Sequence, residues 1–297
     1  MKNQILFRLF FLLVLVSACK TQNNLSAKTQ SFIDAATPKK VKPLILNDSK
    51  SDKQKWKLAF SDEFNDTKMD TSKWNVENAP KKRVDIMLYS DDNQVVEKDG
   101  KAYIYYRKSA LNDTTYMAGR FNSHKKYSPT YGFMESKIHL VKPNGYQMAF
   151  WMMPEGKGMA SETTPDGTAN DGAEIDIVEG NKLDAFSTGL HWDGYAKPAH
   201  KANGKLIKKF DLYKAEYHTF GFEWSPTFVR WYLDGEMIRE VTDPKLIPQV
   251  AHYLYFSGSC FGKSDWVDGD VRVNEFIQNG GVDNAYVDYV RVFQTKN

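Results

Sequence analysis

The chain has 297 residues, with 40 Lys and Arg against 37 Asp and Glu and a formal charge of +3. So small an imbalance, with no basic stripe, excludes a nucleic-acid surface built on charge. Aromatic residues make up 14%, many of them Tyr and Trp, which suits a β-rich fold and flat surfaces on which sugar rings can lie.

The chain opens with a targeting segment. Lys2 and Arg8 accompany a mostly apolar run from Ile5 to Val16, too short for a membrane span of about 20 residues. Its end, Val16-Ser17-Ala18-Cys19, resembles the lipobox of bacterial lipoproteins, cut before a Cys that then carries lipid. The resemblance implies a signal peptide over 1–18, lipidation at Cys19, and a place in the cell envelope on the inner or outer membrane. The domain would be periplasmic or extracellular and would meet the membrane through the anchor only. Cys260 would then have no partner, and the domain no disulfide. Residues 19–50 are rich in Lys, Thr, Gln, Asn and Ser, which predicts a flexible tether. The folded domain is assigned to 51–297, with its first strand near Trp56.

From there the pattern is one of short strands. An apolar strand over Lys57–Phe60 leads to Asp62-Glu63-Phe64, with Trp74 ten residues on. Gln94–Glu97 and Ala102–Tyr106 flank Asp99-Gly100, and Val229–Leu233 and Glu236–Ile238 flank Asp234-Gly235. Asp-Gly between two such runs predicts a hairpin. Tyr131–Ile138, Tyr217–Trp224, Tyr253–Ser257 and Ala285–Phe293 alternate in polarity as half-buried strands do. Residues 155–172, rich in Gly, Thr, Asp and Asn, read as a loop, either walling a cleft or decorating the surface. With no long helical period, the pattern predicts an all-β sandwich.

One strand stands apart. Glu174-Ile175-Asp176-Ile177-Val178-Glu179 alternates carboxylates with β-branched residues. On a strand, Glu174 and Asp176 share a face, and a single β-bulge near Val178 would return Glu179 to it. A helix would scatter the same acids. Folding alone does not favour three clustered carboxylates, whereas glycoside hydrolysis needs two acids with pKa values pushed apart. Positions four apart on a straight strand lie about 13 Å apart, against about 5–5.5 Å for a retaining pair, a gap that a concave strand with side chains leaning inward could close.

Glu-x-Asp-x-x-Glu, with Phe150-Trp151-Met152-Met153-Pro154 upstream, resembles glycoside hydrolase family 16 in its bulged form. Asp62-Glu63-Phe64, the strand from Tyr131, the hairpin around Trp231-Tyr232-Leu233-Asp234-Gly235 and the closing strand to Phe293 extend the likeness, in order, over nearly all of 56–295. The resemblance implies a β-jelly-roll sandwich of two curved antiparallel sheets with the cleft on the concave face. It assigns Glu174 as nucleophile, Glu179 as general acid and base, and Asp176 as the residue tuning them. Tyr146, where many members carry Trp, together with Trp151, His191 and Trp192, would meet the sugar, although neighbours on one strand cannot both face the cleft. Trp266 is a further aromatic near the cleft. No metal is required. Some members bind a structural Ca²⁺, for which Glu63 and Asp288 offer oxygen donors.

The expected substrate is a β-linked polysaccharide, a β-1,3- or mixed-linkage glucan, attacked internally with retention by a monomer. The alternatives are a β-galactan (agar, porphyran, carrageenan or a host glycan), a transglycosylase, and a non-catalytic carbohydrate-binding module. A sulfated galactan would want cations such as those of Lys81-Lys82-Arg83.

Overall fold

A computed structural model describes residues 32–45, 56–83, 86–91, 93–112, 114–156, 165–209 and 211–295. In chain order the strands are β1 (Trp56–Asp62), β2 (Asn75–Val76), β3 (Ala79–Arg83), β4 (Ile86–Ser90), β5 (Val95–Lys98), β6 (Lys101–Lys108), β7 (Thr115–Ala118), β8 (Arg120–Asn122), β9 (Gly132–His139) and β10 (Tyr146–Pro154). They continue as β11 (Glu174–Lys182), β12 (Ala185–Trp192), β13 (Lys201–Ala202), β14 (Lys205–Lys208), β15 (His218–Trp224), β16 (Val229–Leu233), β17 (Glu236–Val241), β18 (His252–Cys260) and β19 (Asp283–Thr295). Among the described residues, no helix is long and apolar enough to cross a membrane.

The strands form two sheets. The first runs β17-β16-β15-β9-β19-β6-β7-β4-β3, with β1 beside β19 and β5 beside β6; the second runs β13-β12-β11-β10-β18-β8-β2, with β14 beside β12. Pairing is antiparallel apart from β4 with β7. This is the jelly-roll sandwich expected from the sequence. Both Asp-Gly turns form: Asp99 and Gly100, and Asp234 and Gly235, take positive φ, as a two-residue turn matched to strand twist requires.

The core lies between the sheets and follows the strand period of two. On β10, Met148, Phe150 and Met152 point inward, while Trp151 stays partly exposed on the other face. Phe150 stacks on Phe256 of β18 at 4.5 Å, Phe256 on Phe121 of β8 at 4.9 Å, and Trp74 meets Phe121 edge-on. The facing layer comes from Met134, Ile138, Phe220, Phe222, Val290 and Val292. Each such side chain contributes about 1.5–3 kcal/mol by leaving water. Cys260 is buried and unpaired, in keeping with a domain that relies on its core and not on a disulfide.

Two expectations need correction. A tether over 19–50 does not hold for its described part, residues 32–45. Phe32 packs against Phe60 and Tyr127, and Ile45, 1% exposed, joins Phe133, Tyr232 and Phe293 on the outer side of the first sheet. The Leu44 amide donates to Glu135 Oε2 at 2.7 Å. A few apolar anchors in polar company outweigh the composition. The proposed cation donors also fail to converge. Glu63 takes a bidentate grip from Arg291 at 2.8 and 2.9 Å, and Asp288 pairs with Lys137 at 2.8 Å. Each carboxylate already carries a cation, so the pair does not fit a shared Ca²⁺. Cys19 and the boundary at residue 51 lie outside the described residues.

Candidate active site

The carboxylates are set by an irregularity in β11. Asp176 pairs with Trp151 on β10 and Gly189 on β12, while Glu179 pairs with Ala149 and Ser187. β11 therefore takes three steps where each neighbour takes two. Both intervening side chains, Ile177 at 1% and Val178 at 0% exposure, lie in the core. Two adjacent apolar residues between two acids leave a strand one way to put both in the core and keep both acids on the opposite face, which is a bulge. The Asp176 carbonyl is met from the opposite sheet by the indole of Trp231, whose Nε1 donates to it at 2.8 Å. This bond satisfies a backbone acceptor inside the core.

Glu174, Asp176 and Glu179 thus share the outer face of the second sheet. Asp176 is buried, whereas Glu174 and Glu179 are half-buried. Asp176 Oδ2 lies 3.4 Å from His191 Nε2, a charge contact without well-aligned hydrogen-bond geometry. Burial of the ring opposes the imidazolium, but Asp176, with Glu174 behind it, outweighs burial and raises the His191 pKa above its ordinary value. Tyr195 Oη donates to Glu174 Oε2. Glu179 has small neighbours, Ala149 and Ser187, and a long contact from Gln147 Nε2 at 3.5 Å. Glu174, Asp176 and His191 each offer a ligand atom within 4.8 Å of the others. Each is already engaged within the protein, Glu174 by Tyr195, Asp176 by His191, and His191 by His200 as well.

Beside the acids runs an aromatic row. Trp151 stacks on Tyr255 at 4.3 Å, and Tyr253 continues the row, with Met153 beneath. The Trp151 indole is fixed by Nε1 donating to Ser257 Oγ at 3.0 Å. Trp151 and His191 therefore lie on the same face as the acids. Tyr146 and Trp192 do not. Tyr146 is 3% exposed on the core face of β10, its hydroxyl donating to Asp283, and Trp192 is 6% exposed in the core behind His191. Strand parity decides both. Tyr146 is an odd number of residues from Trp151, and Trp192 is one from His191. Tyr253 and Tyr255 were missed, although Tyr253-Leu254-Tyr255-Phe256-Ser257 alternates in a way that puts both tyrosines opposite the core.

The flanks bear on the site too. The described end of the 155–172 loop is tied down beside it, with the Asp166 and Gly167 amides donating to Asp193 and the Ala169 amide to the Lys245 carbonyl at 2.8 Å. Trp266 is 43% exposed, on the loop whose Asp265 carbonyl and Asp268 hold Lys182 at the far end of β11. Lys81-Lys82-Arg83 belong to β3, at the edge of the first sheet and not in the cleft sheet.

This arrangement can be set against known proteins. The family described as Glycosyl hydrolases family 16 matches residues 81–274. The chain is 26% identical over 269 residues to Glucan endo-1,3-beta-glucosidase A1 of Niallia circulans, covering 80% of this chain and 38% of that protein. It is 24% identical over 278 residues to Beta-glucanase of Rhodothermus marinus, covering 84% of this chain and 90% of that one. The chain thus spans well under half of the first relative and most of the second. The laminarinase catalytic domain of Thermotoga maritima has the same fold, with a TM-score of 0.63 at 23% identity over 82% of this chain and 99% of that one. With the match running through most of the sandwich and across all three acids, the chain belongs to glycosyl hydrolases family 16 and is a glycosidase.

Proposed function

We propose that the enzyme is an endo-acting, retaining hydrolase of a β-1,3- or mixed-linkage glucan, with Glu174 as nucleophile and Glu179 as acid and base. The observation that carries the reading is the bulge that puts both glutamates and Asp176 on the cleft face. In the first step a Glu174 oxygen attacks the anomeric carbon. The glycosidic C–O bond breaks as Glu179 passes its proton to the leaving oxygen. In the second step Glu179 takes a proton from water, whose oxygen displaces Glu174 and restores the original configuration. Asp176, 3.4 Å from His191 Nε2, stands between the two glutamates on the same face of the strand. Trp151, backed by the buried Tyr255, supplies the face on which a sugar ring would lie. The glucan reading is supported by the two relatives named for β-glucan cleavage, one of which is matched over most of its length.

The test is release of reducing ends from laminarin, barley β-glucan, agarose, porphyran, carrageenan and mucin, with Glu174→Gln as the blank and the anomeric configuration of the first product followed by NMR. Cleavage of a glucan to a β-configured product, lost in the blank, is the expected result. Cleavage of a galactan alone would keep the roles and overturn the substrate. An α-configured first product would overturn the mechanism, and tight binding without turnover would favour a binding module. Added acceptor sugar separates transfer from hydrolysis. We also propose that Cys19 carries lipid and anchors the enzyme in the cell envelope; Cys19→Ser should release the protein to the soluble fraction.

A further inference from the structure

The segment between β12 and β13, residues 193–200, touches the carboxylate cluster twice. Tyr195 Oη donates to Glu174 Oε2, and His200 Nε2 stands 3.1 Å from His191 Nδ1, the two rings parallel within 3°. The segment is built to hold these contacts. Asp193, 2% exposed, is held by two loop amides, the His200 amide donates to the Ala196 carbonyl at 3.1 Å, and Ala202 then pairs with His191.

We propose that His200 and Tyr195 are positioning residues of this active site: His200 holds His191 as an imidazolium against Asp176, and Tyr195 holds Glu174 oriented and ionised. The proposal rests on the roles given to Glu174 and Glu179 above.

Between two imidazole nitrogens 3.1 Å apart, one must donate and the other accept. Burial, the neighbouring His191 and Lys197 all disfavour a charged His200, so its pKa is lowered. In the arrangement proposed, a neutral His200 accepts at Nε2 and His191 presents N–H on both sides, one to His200 and one toward Asp176. The groups that face this pair are Glu174 and Asp176 from β11 and Lys197 and Tyr195 from the segment. Arg239 of β17 acts on Asp176 from the core side. The imidazolium lets Glu174 and Asp176 be ionised together at close range. Without it, the two acids would face each other with no positive charge between them and His200. A hydroxyl donated to Glu174 works in the same direction, because it favours the carboxylate over the acid.

The experiment is an NMR titration of the His191 ring in the intact enzyme and in His200→Ala, His200→Gln and Tyr195→Phe. It is accompanied by the pH profile of kcat/KM on whichever polysaccharide the wild type cleaves. Loss of a charge-assisted acceptor in His200→Ala should lower the His191 midpoint by about one pH unit. The alkaline limb of kcat/KM should move toward acid by the same amount. His200→Gln, whose amide oxygen can accept, should recover most of that shift. Tyr195→Phe should leave the His191 midpoint in place and move the acid limb toward alkali. Unchanged midpoint and limbs in folded variants would overturn the proposal, as would failure of His200→Gln to differ from His200→Ala. A wild type that cleaves nothing would sink the hydrolase reading, and the midpoint shift would still decide the role of His200.

Discussion

Gly189 is the residue across from Asp176 on β12, and a Cβ there would stand 2.7 Å from Asp176 Oδ2 and 3.3 Å from His191 Nε2. Its backbone is ordinary, with no positive φ, so glycine is demanded by the carboxylate and not by a turn. The Asp176–His191 contact has no slack: the acid is buried and the partner ring is fixed on its other side by His200. Gly189→Ala should therefore force Asp176 to rotate away and separate the pair. We expect kcat to fall by at least about tenfold, a displacement of roughly 1.4 kcal/mol at the transition state. A variant with wild-type kcat would show that Asp176 does not depend on His191. The same pair carries a pH dependence. Because the His191 pKa is raised in the folded enzyme, the stability it contributes is complete below its unfolded value of about 6.5 and is lost as pH rises through the folded one.

The bulge is a matter of register, and register can be edited. Deleting Ile177 leaves Glu-Ile-Asp-Val-Glu, which alternates without interruption. Val178 would then oppose Phe150 and Thr188 while Asp176 and Glu179 kept their present partners. All three acids should stay on the cleft face, so the variant should fold and keep part of its activity, at a cost of about 2–4 kcal/mol for the lost core side chain. Deleting Val178 as well would turn Glu179 into the core, and both activity and the fold should be lost. Equal activity in the two deletions would contradict the parity argument. Parity also explains what was legible beforehand. Glu174 to Glu179 could be read because charge and β-branching alternate inside six residues, and the Asp-Gly hairpins because the turn needs positive φ at both positions. Tyr146 and Trp192 were misplaced because an aromatic ring suits either face, and only pairing with β18 or β11 says which face it takes. Tyr195 and His200 sit on a segment without period, and nothing local ties a histidine to another nine residues earlier. Residues 32–45 read as tether because Phe32, Val41 and Ile45 are too sparse to form a pattern, yet each finds a place on the first sheet.

That outer layer leaves a mark on the stability of the whole molecule. Glu135 is 1% exposed beneath residues 32–45, and burial pushes its pKa up to about 7 against the pull of the Leu44 amide and Arg291. Arg291 does little to offset this, because it is 3.9 Å from Glu135 Oε1 and already spent on Glu63. A carboxyl whose pKa is raised on folding binds its proton more tightly in the native state. Its contribution is complete below the unfolded value of 4.5 and is lost as pH climbs to about 7. From the size of that shift the loss is about 3 kcal/mol. Asp62 and Glu97, raised to about 6 and about 7, act in the same direction. Asp234, Asp268 and Asp270 are held low by their partners, so what they contribute disappears only below 3.8. Glu135, Asp62 and Glu97 therefore favour mildly acidic solution, while His252, lowered by burial to about 4, loses stability as pH falls below its unfolded value of 6.5 and works against them. Glu135→Gln isolates one part of this, since the amide oxygen can still accept from Leu44 and no charge has to be buried. Its melting temperature should exceed that of the wild type at pH 8 and converge with it near pH 4.5. A variant less stable than the wild type at pH 8 would mean that the ionised carboxylate is held by Arg291 after all, and that residues 32–45 are clamped to the sheet by charge rather than by the burial of Ile45 and Phe32.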